Sequence, residues 1–275
     1  MIVLRLIVFA LLLVPGSALA CGVDSDCLIG ERYYRIAMPA GHTAGEPVGA
    51  IVFAHGYRGR ADRAIRNPGL RGLADELGVA LIAAKSSGDD WAIANAPSPN
   101  KVEGADELAY FDALVEDAAR RFPIDRNKLL VTGFSAGGMM VWTLACERGD
   151  LFAGFAPLAG TFWRPVPDAC AGAPVNLFHY HGTQDRIVPL GGRPIADTHQ
   201  GDVRRAVDML ARTGSYTAPR PIEAGADLDC VRRESGSPGN RGSKIFDYCL
   251  FEGGHEFRSA FIRRAWTELQ AIGAM

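Results

Sequence analysis

The chain has 275 residues, 48% hydrophobic and 22% charged, with a formal net charge of −2. This is ordinary globular composition, and it suits one large α/β domain with a sizeable core better than two small ones. The near-neutral balance leaves no basic footprint for nucleic acid or for an anionic membrane surface.

The N-terminus reads as a targeting segment. Residues 1–5 carry one positive charge, 6–14 are continuously apolar, and Pro15-Gly16 breaks the run ahead of Ala18-Leu19-Ala20, an A-x-A cleavage site. The apolar stretch is short for a membrane span. A signal peptide is therefore expected over residues 1–20, cleaved before Cys21, with residues 21–275 exported as a secreted or periplasmic domain. A lipid on Cys21 is the rival, although Ala18 stands where a lipidated cysteine usually has leucine. All six cysteines lie in the mature chain. An even count in an exported protein reads as disulfides. Many pairings are open; the sequential one, Cys21–Cys27, Cys146–Cys170 and Cys230–Cys249, is the expectation, and buried free thiols the alternative.

The remaining elements alternate. Residues 33–38 read as an early strand. Ala50-Ile51-Val52-Phe53-Ala54 is an unbroken apolar run suited to a strand buried on both faces. It enters the glycine-flexible loop His55-Gly56-Tyr57-Arg58-Gly59. A helix over 70–77 closes at Gly78, and 79–84 form the next buried strand. Residues 86–101, rich in Ser, Pro, Asp and Asn and carrying Trp91, read as a surface loop. Residues 105–122 form the clearest amphipathic helix, stopped by Pro123. Strand 129–131 and helix 136–146 follow, then strands 152–158 and 176–180, helix 203–210, a long Gly-, Pro- and Arg-rich excursion over 215–243, strand 245–251 and a closing helix 261–272. Alternating strands and helices predict a mostly parallel sheet with helices on both faces.

Gly133-Phe134-Ser135-Ala136-Gly137 lies between an apolar strand and an apolar helix. That order of strand, tight turn and helix is the context of a nucleophile elbow, with serine at the apex of a strained turn. Ligands of such sheets sit at the carboxyl ends of strands. The polar segments at strand ends are His55-Gly56-Tyr57, Ser135, Asp185 and His255. The order Ser, Asp, His is that of the α/β-hydrolases. Serine needs a base, for which His255 in Gly-Gly-His is placed best, and the base needs an orienting carboxylate, here Asp185. Asp197 and Asp202 are the fallbacks. The N–H groups of Ala136 and Tyr57 are the candidate oxyanion donors. Tyr57, Trp91 and Trp163 are candidates for an aromatic substrate wall. His179 and His181 alternate on a strand and could in principle share a metal, but no second His pair accompanies them, and no metal or other cofactor is expected.

Gly-Phe-Ser-Ala-Gly-Gly after Ile124-Asp125-Arg126-Asn127-Lys128, His-Gly-Thr-Gln-Asp-Arg-Ile-Val-Pro and Gly-Gly-His together resemble the secreted esterase family of polyhydroxybutyrate depolymerases and feruloyl or acetyl xylan esterases. The resemblance runs from about Tyr33 to the end. It implies an α/β-hydrolase fold and a serine carboxylesterase; the stretch 161–174, where many lipases insert a lid, is short here and carries Trp163, and reads as an open cleft without a large lid. Ser135 would be the nucleophile, Asp185 the acid, His255 the base, and Tyr57 and Ala136 the oxyanion positions. Cys230 and Cys249 match the family's cysteine pair before the histidine. Where the family often continues from the histidine into Trp-Pro-Gly, this chain has Glu256-Phe257-Arg258. The implied partner is an ester, in the polymeric case a hydroxyalkanoate polyester or a plant cell-wall ester, with no nucleic acid and no membrane span. A peptidase of the same fold and a non-catalytic binding module are the competing readings.

Overall fold

The computed structural model describes residues 21–97, 106–225, 227–236 and 242–275. The expected signal peptide lies outside these residues. The strands are β1 (Cys27–Ile29), β2 (Arg32–Ala37), β3 (Val48–Ala54), β4 (Ala80–Ala84), β5 (Ile124–Phe134), β6 (Gly154–Leu158), β7 (Leu177–Gly182), β8 (Pro194–Ile195), β9 (Thr198–His199), β10 (Arg220–Ile222), β11 (Asp229–Glu234) and β12 (Ile245–Phe251). The helices are α1 (Ala61–Ile65), α2 (Pro68–Leu77), α3 (Glu107–Arg121), α4 (Ala136–Glu147), α5 (Val203–Thr213) and α6 (Ser259–Ala271).

A ten-stranded sheet runs in the order β1-β2-β4-β3-β5-β6-β7-β12-β11-β10. Its centre, from β4 through β3, β5, β6 and β7 to β12, is parallel. Alternation along each strand feeds two cores. Ala50, Val52 and Ala54 of β3 join one apolar cluster with Phe111 of α3 and Trp142 of α4. Ile51 and Phe53 join the other with Leu70 of α2 and Trp266 of α6. Strands covered on both faces have no polar side to display, so they read as continuous apolar runs. Each fully buried aliphatic side chain of this kind contributes about 1.5–3 kcal/mol.

Helix boundaries follow local chemistry. Asn67 caps α2 by accepting from the Leu70 N–H at 3.0 Å, Pro68 occupies its first turn, and Gly78 closes it at φ 65°. Asp106 caps α3 through the Ala109 N–H at 2.9 Å, and Asp202 caps α5 through the Arg205 N–H at 2.9 Å.

Two expectations are corrected. The stretch 215–243 is not simply an excursion: β10 and β11 pair antiparallel and extend the sheet beyond β12. Their charged composition hides the strand pattern because the charges are paired. Arg232 donates to the fully buried Asp247 at 2.7 and 2.8 Å and to Glu268 at 2.7 Å. Nor is Trp91 a surface residue. It is 1% exposed and packs on Phe111, ring centroids 5.5 Å apart. The cysteines form the disulfides Cys21–Cys27, Cys146–Cys170 and Cys230–Cys249. The last joins directly opposed residues of β11 and β12.

Candidate active site

Ser135 stands between β5 and α4 at φ 60°, ψ −120°. A side chain with a Cβ avoids that region, and it persists only where the surroundings impose it. Here the Ser135 N–H donates to Leu158 O at 2.9 Å, and α4 starts at the next residue. The turn is packed so closely that a Cβ on Gly137 would lie 1.9 Å from Ala54 O, and one on Gly133 2.5 Å from the Gly137 backbone. These glycines let β3, β5 and α4 converge behind the serine.

Asp185 follows β7 and is buried. Its Oδ1 accepts from the N–H groups of Ile187 and Val188, both at 2.8 Å. Its Oδ2 lies 2.7 Å from His255 Nδ1. Burial alone would raise the Asp185 pKa, but the His255 hydrogen bond and the two N–H donors outweigh it and hold the carboxyl below the usual range. A carboxylate accepts only, so His255 Nδ1 carries the proton and Nε2 is left as the basic nitrogen. The His255 ring lies against Phe134, centroids 4.5 Å apart, one residue before Ser135. Asp197 and Asp202 play no such part; Asp202 is the α5 cap.

The loop after β3 is built to hold one peptide plane. His55 Nδ1 donates to Gly56 O at 2.8 Å, and the Gly59 N–H donates to the same oxygen at 2.8 Å. The Tyr57 N–H is the other end of that peptide and points the opposite way. A Cβ on Gly56 would lie 3.6 Å from Ser135 Cβ, so the loop and the elbow are in close contact. The Ser86 N–H lies 3.3 Å from His55 Nε2, consistent with a neutral ring protonated on Nδ1. Burial supports this by lowering the His55 pKa to about 4, against the raising effect of the Gly56 carbonyl. Trp91 Nε1 donates to His55 O at 2.7 Å. Trp91 therefore supports the loop more than it offers a free aromatic face, although its edge still contributes to the cleft wall.

A cleft of about 350 Å³ opens beside Ser135. Tyr57, Ala136, Trp91 and Trp163 line it as well, so the structure gathers these sequence candidates at one place. Met139, Val188, Ile195, Asp90 and Gln200 complete much of the wall and carried no sequence signal of their own. Asp89-Asp90 lies in the loop that follows β4, on the side of the sheet where the strand-end rule looks for ligands. The Asp90 carboxyl is pushed up to about 6, first by burial and further by Glu107 and Asp89, against the Trp91 N–H.

His179 and His181 point to the same side, as their alternation predicts, and form a directed chain. The Trp142 indole N–H donates to His179 Nδ1 at 3.2 Å. His179 Nε2 must then be protonated, and it lies 3.1 Å from His181 Nδ1. His181 Nε2 donates to Val188 O at 2.7 Å. Burial lowers both pKa values, so the rings are neutral and the 3.5 Å approach of His181 to Asp185 is not an ion pair. The chain braces the loop that supplies both N–H donors to Asp185.

Comparison with known proteins agrees with this architecture. A family model described as the prolyl oligopeptidase family matches residues 83–163, which include the elbow but neither Asp185 nor His255. The putative esterase NocK of Nocardia uniformis subsp. tsuyamanensis is 29% identical over 210 residues, 75% of this chain and 60% of that protein. The probable feruloyl esterase C of Aspergillus niger is 28% identical over 195 residues, 68% of this chain and 66% of that protein. The chain thus matches less than two thirds of the length of either relative. Among solved structures, the acetyl xylan esterase from Aspergillus awamori aligns with a TM-score of 0.61 at 16% identity, covering 89% of this chain and 95% of that one. The Bacillus cereus carboxylesterase aligns at 0.51 and 14% identity, covering 87% and 94%. At such identities the structural likeness speaks for the fold.

Proposed function

We propose that this chain, an α/β-hydrolase by fold, is an exported serine carboxylesterase that works through Ser135, His255 and Asp185. The observation that carries the reading is the conjunction of a strained serine at the elbow with the 2.7 Å contact between His255 Nδ1 and Asp185 Oδ2. His255 Nε2 takes the Ser135 proton as Oγ attacks the ester carbonyl. The developing oxyanion is met by the Ala136 N–H at the start of α4 and by the Tyr57 N–H, whose peptide plane is pinned through Gly56 O. His255 then protonates the leaving alcohol, and water cleaves the acyl-enzyme by the same route. Asp185 stays ionised, holds the imidazole tautomer and stabilises the imidazolium.

Tyr57 and Ile187, each 50% exposed, both border the cleft. Large apolar groups at an open rim favour a bulky or polymeric ester over a short acyl ester. Feruloyl-arabinoxylan and acetylated xylan are substrates to compare, since a relative and a neighbour carry the names feruloyl esterase and acetyl xylan esterase, and hydroxyalkanoate polyester joins them on the sequence resemblance alone. Three disulfides suit an oxidising, extracytoplasmic compartment.

The match to the prolyl oligopeptidase family model favours a second reading, a peptidase using the same residues. A panel of aryl esters against peptide anilides separates the two, and the esterase reading expects turnover of the esters. A fluorophosphonate probe should label the wild type and not Ser135→Ala. Full activity of Ser135→Ala on an activated phenyl ester would end the proposal.

A further inference from the structure

The Tyr57 N–H stands on a loop that is neither helix nor strand, so its place depends on what holds that loop. The segment after β4 holds it on both sides of the Gly56–Tyr57 peptide. On one side, Trp91 Nε1 donates to His55 O at 2.7 Å, and the Ser86 N–H lies 3.3 Å from His55 Nε2. On the other, the Arg58 N–H donates to Asp89 O at 2.7 Å.

Residues 86–92 are themselves irregular and need support of their own. Lys85 Nζ ties their first half, donating to Ser86 O at 2.8 Å and to Gly88 O at 2.6 Å. Glu107, the first residue of α3 and only 3% exposed, ties their two ends. Its Oε1 accepts from the Ser87 N–H at 3.2 Å, the Ser87 hydroxyl at 2.9 Å and the Ala92 N–H at 3.2 Å. Its Oε2 accepts from Arg32 Nη2 at 2.7 Å, and the same nitrogen donates to Lys85 O at 2.8 Å. A buried carboxylate is costly unless its oxygens are filled, and here charge-assisted bonds fill both. Buried ion pairs contribute little net stability compared with apolar packing. What this one fixes is the geometry of a single segment, and that segment leads to Tyr57.

We propose that Glu107 is a positioning residue for the oxyanion site: it clamps the segment 87–92, the segment holds His55 and Arg58, and the Tyr57 N–H is thereby kept where negative charge develops. The proposal rests on the esterase reading of Ser135 and deepens it. Glu107 touches no reacting atom. Its effect arises because an oxyanion donor works only at its proper place, and a misplacement of about 1 Å costs up to about 100-fold in rate.

Glu107→Gln is the test, because an amide has one accepting oxygen and cannot serve Arg32 and the segment together. With active sites counted by fluorophosphonate labelling, kcat on phenyl acetate should fall about 10- to 100-fold, with KM within about twofold. The inhibition constant of trifluoroacetophenone, whose serine adduct carries an oxyanion, should rise by the same factor. A loss of folded protein moves neither the constant nor the rate per labelled site. Asp117→Asn is the control. Asp117 is a second buried carboxylate of α3 and accepts from Tyr34 Oη at 3.0 Å and Arg121 Nε at 2.8 Å. It should lower Tm and leave the inhibition constant unchanged. An unchanged constant in Glu107→Gln overturns the proposal, as does an equal rise in Asp117→Asn. If Glu107→Gln does not fold, Ser87→Ala replaces it. That variant deletes one of the three bonds to Oε1 and should raise the constant about threefold; no rise overturns the proposal. In each of these cases a labelled, active wild type leaves the esterase reading standing. A wild type that neither takes the label nor hydrolyses phenyl acetate removes both together.

Discussion

Replacing Ser135 by glycine should stabilise the protein while abolishing hydrolysis. At φ 60°, ψ −120° the Ser135 Cβ is in a conformation that costs about 1–3 kcal/mol. Alanine is the right reference, because Ser135→Ala removes the hydroxyl and keeps the Cβ. Ser135→Gly removes both. The extra freedom of glycine in the unfolded chain takes back about 0.4–1 kcal/mol. At the centre of these ranges Ser135→Gly is more stable than Ser135→Ala by about 1.3 kcal/mol, or about 3–5 °C in Tm for a domain of this size. Thermal unfolding of the oxidised proteins by circular dichroism reads the gap, and a urea titration checks it without heating. Both variants should be inert to phenyl esters. If glycine is no more stable than alanine, the elbow stores no strain, and the physical case for Ser135 as a poised nucleophile loses its base.

Other outcomes follow from the same geometry. Asp185→Asn should lower kcat about 10³- to 10⁴-fold with little change in Tm, because an amide can donate to His255 Nδ1 and so stabilise the wrong tautomer; a loss under tenfold would argue against Asp185 as the orienting group. In Asp90→Asn, stability should fall as pH drops from about 6.5 to about 4; in the wild type Asp90, raised from 3.8 to about 6, takes up its proton first in the folded chain and offsets much of the change. Buried His55 has its pKa lowered from 6.5 to about 4, so over that window the unfolded chain binds the proton and the folded one does not. His55 alone accounts for about 3 kcal/mol across the window, and His179 and His181 add in the same direction. A denaturation midpoint of Asp90→Asn that is flat over this range would contradict the neutral, buried assignment of His55. Gly137→Ala, whose Cβ would meet Ala54 O at 1.9 Å, should cost more than about 4 kcal/mol and leave little soluble protein. Gly72→Ala in α2, whose Cβ meets nothing within 4 Å, should instead raise stability by about 0.5–1 kcal/mol. Equal effects at the two positions would show that close approach behind the elbow is not what glycine serves there.

The sequence by itself determined the alternation of elements, the parallel centre of the sheet and the candidate chemistry at its strand ends. The reason is local. A strand covered on both faces must be apolar throughout, as in Ala50-Ile51-Val52-Phe53-Ala54, and a strand–turn–helix elbow with no room behind it needs small residues, as at Gly133 and Gly137. Such constraints act over a few neighbouring residues and leave a readable trace. Strands β10 and β11 were illegible because Arg232 looks like a solvent residue until Asp247 and Glu268 are brought beside it. Trp91 misled for a related reason. A polar loop suggests solvent, whereas the fold tucks the indole under that loop against Phe111. The contact between Asp185 and His255 spans seventy positions, and sequence order could suggest it without placing it. Only the tertiary structure decided what surrounds Ser135: the pinned Gly56–Tyr57 peptide and the histidine chain that braces the Asp185 loop. The groups that hold these parts, Trp91 under His55 and Trp142 against His179, reach them from 36 and 37 positions away, a separation that leaves no local pattern to read.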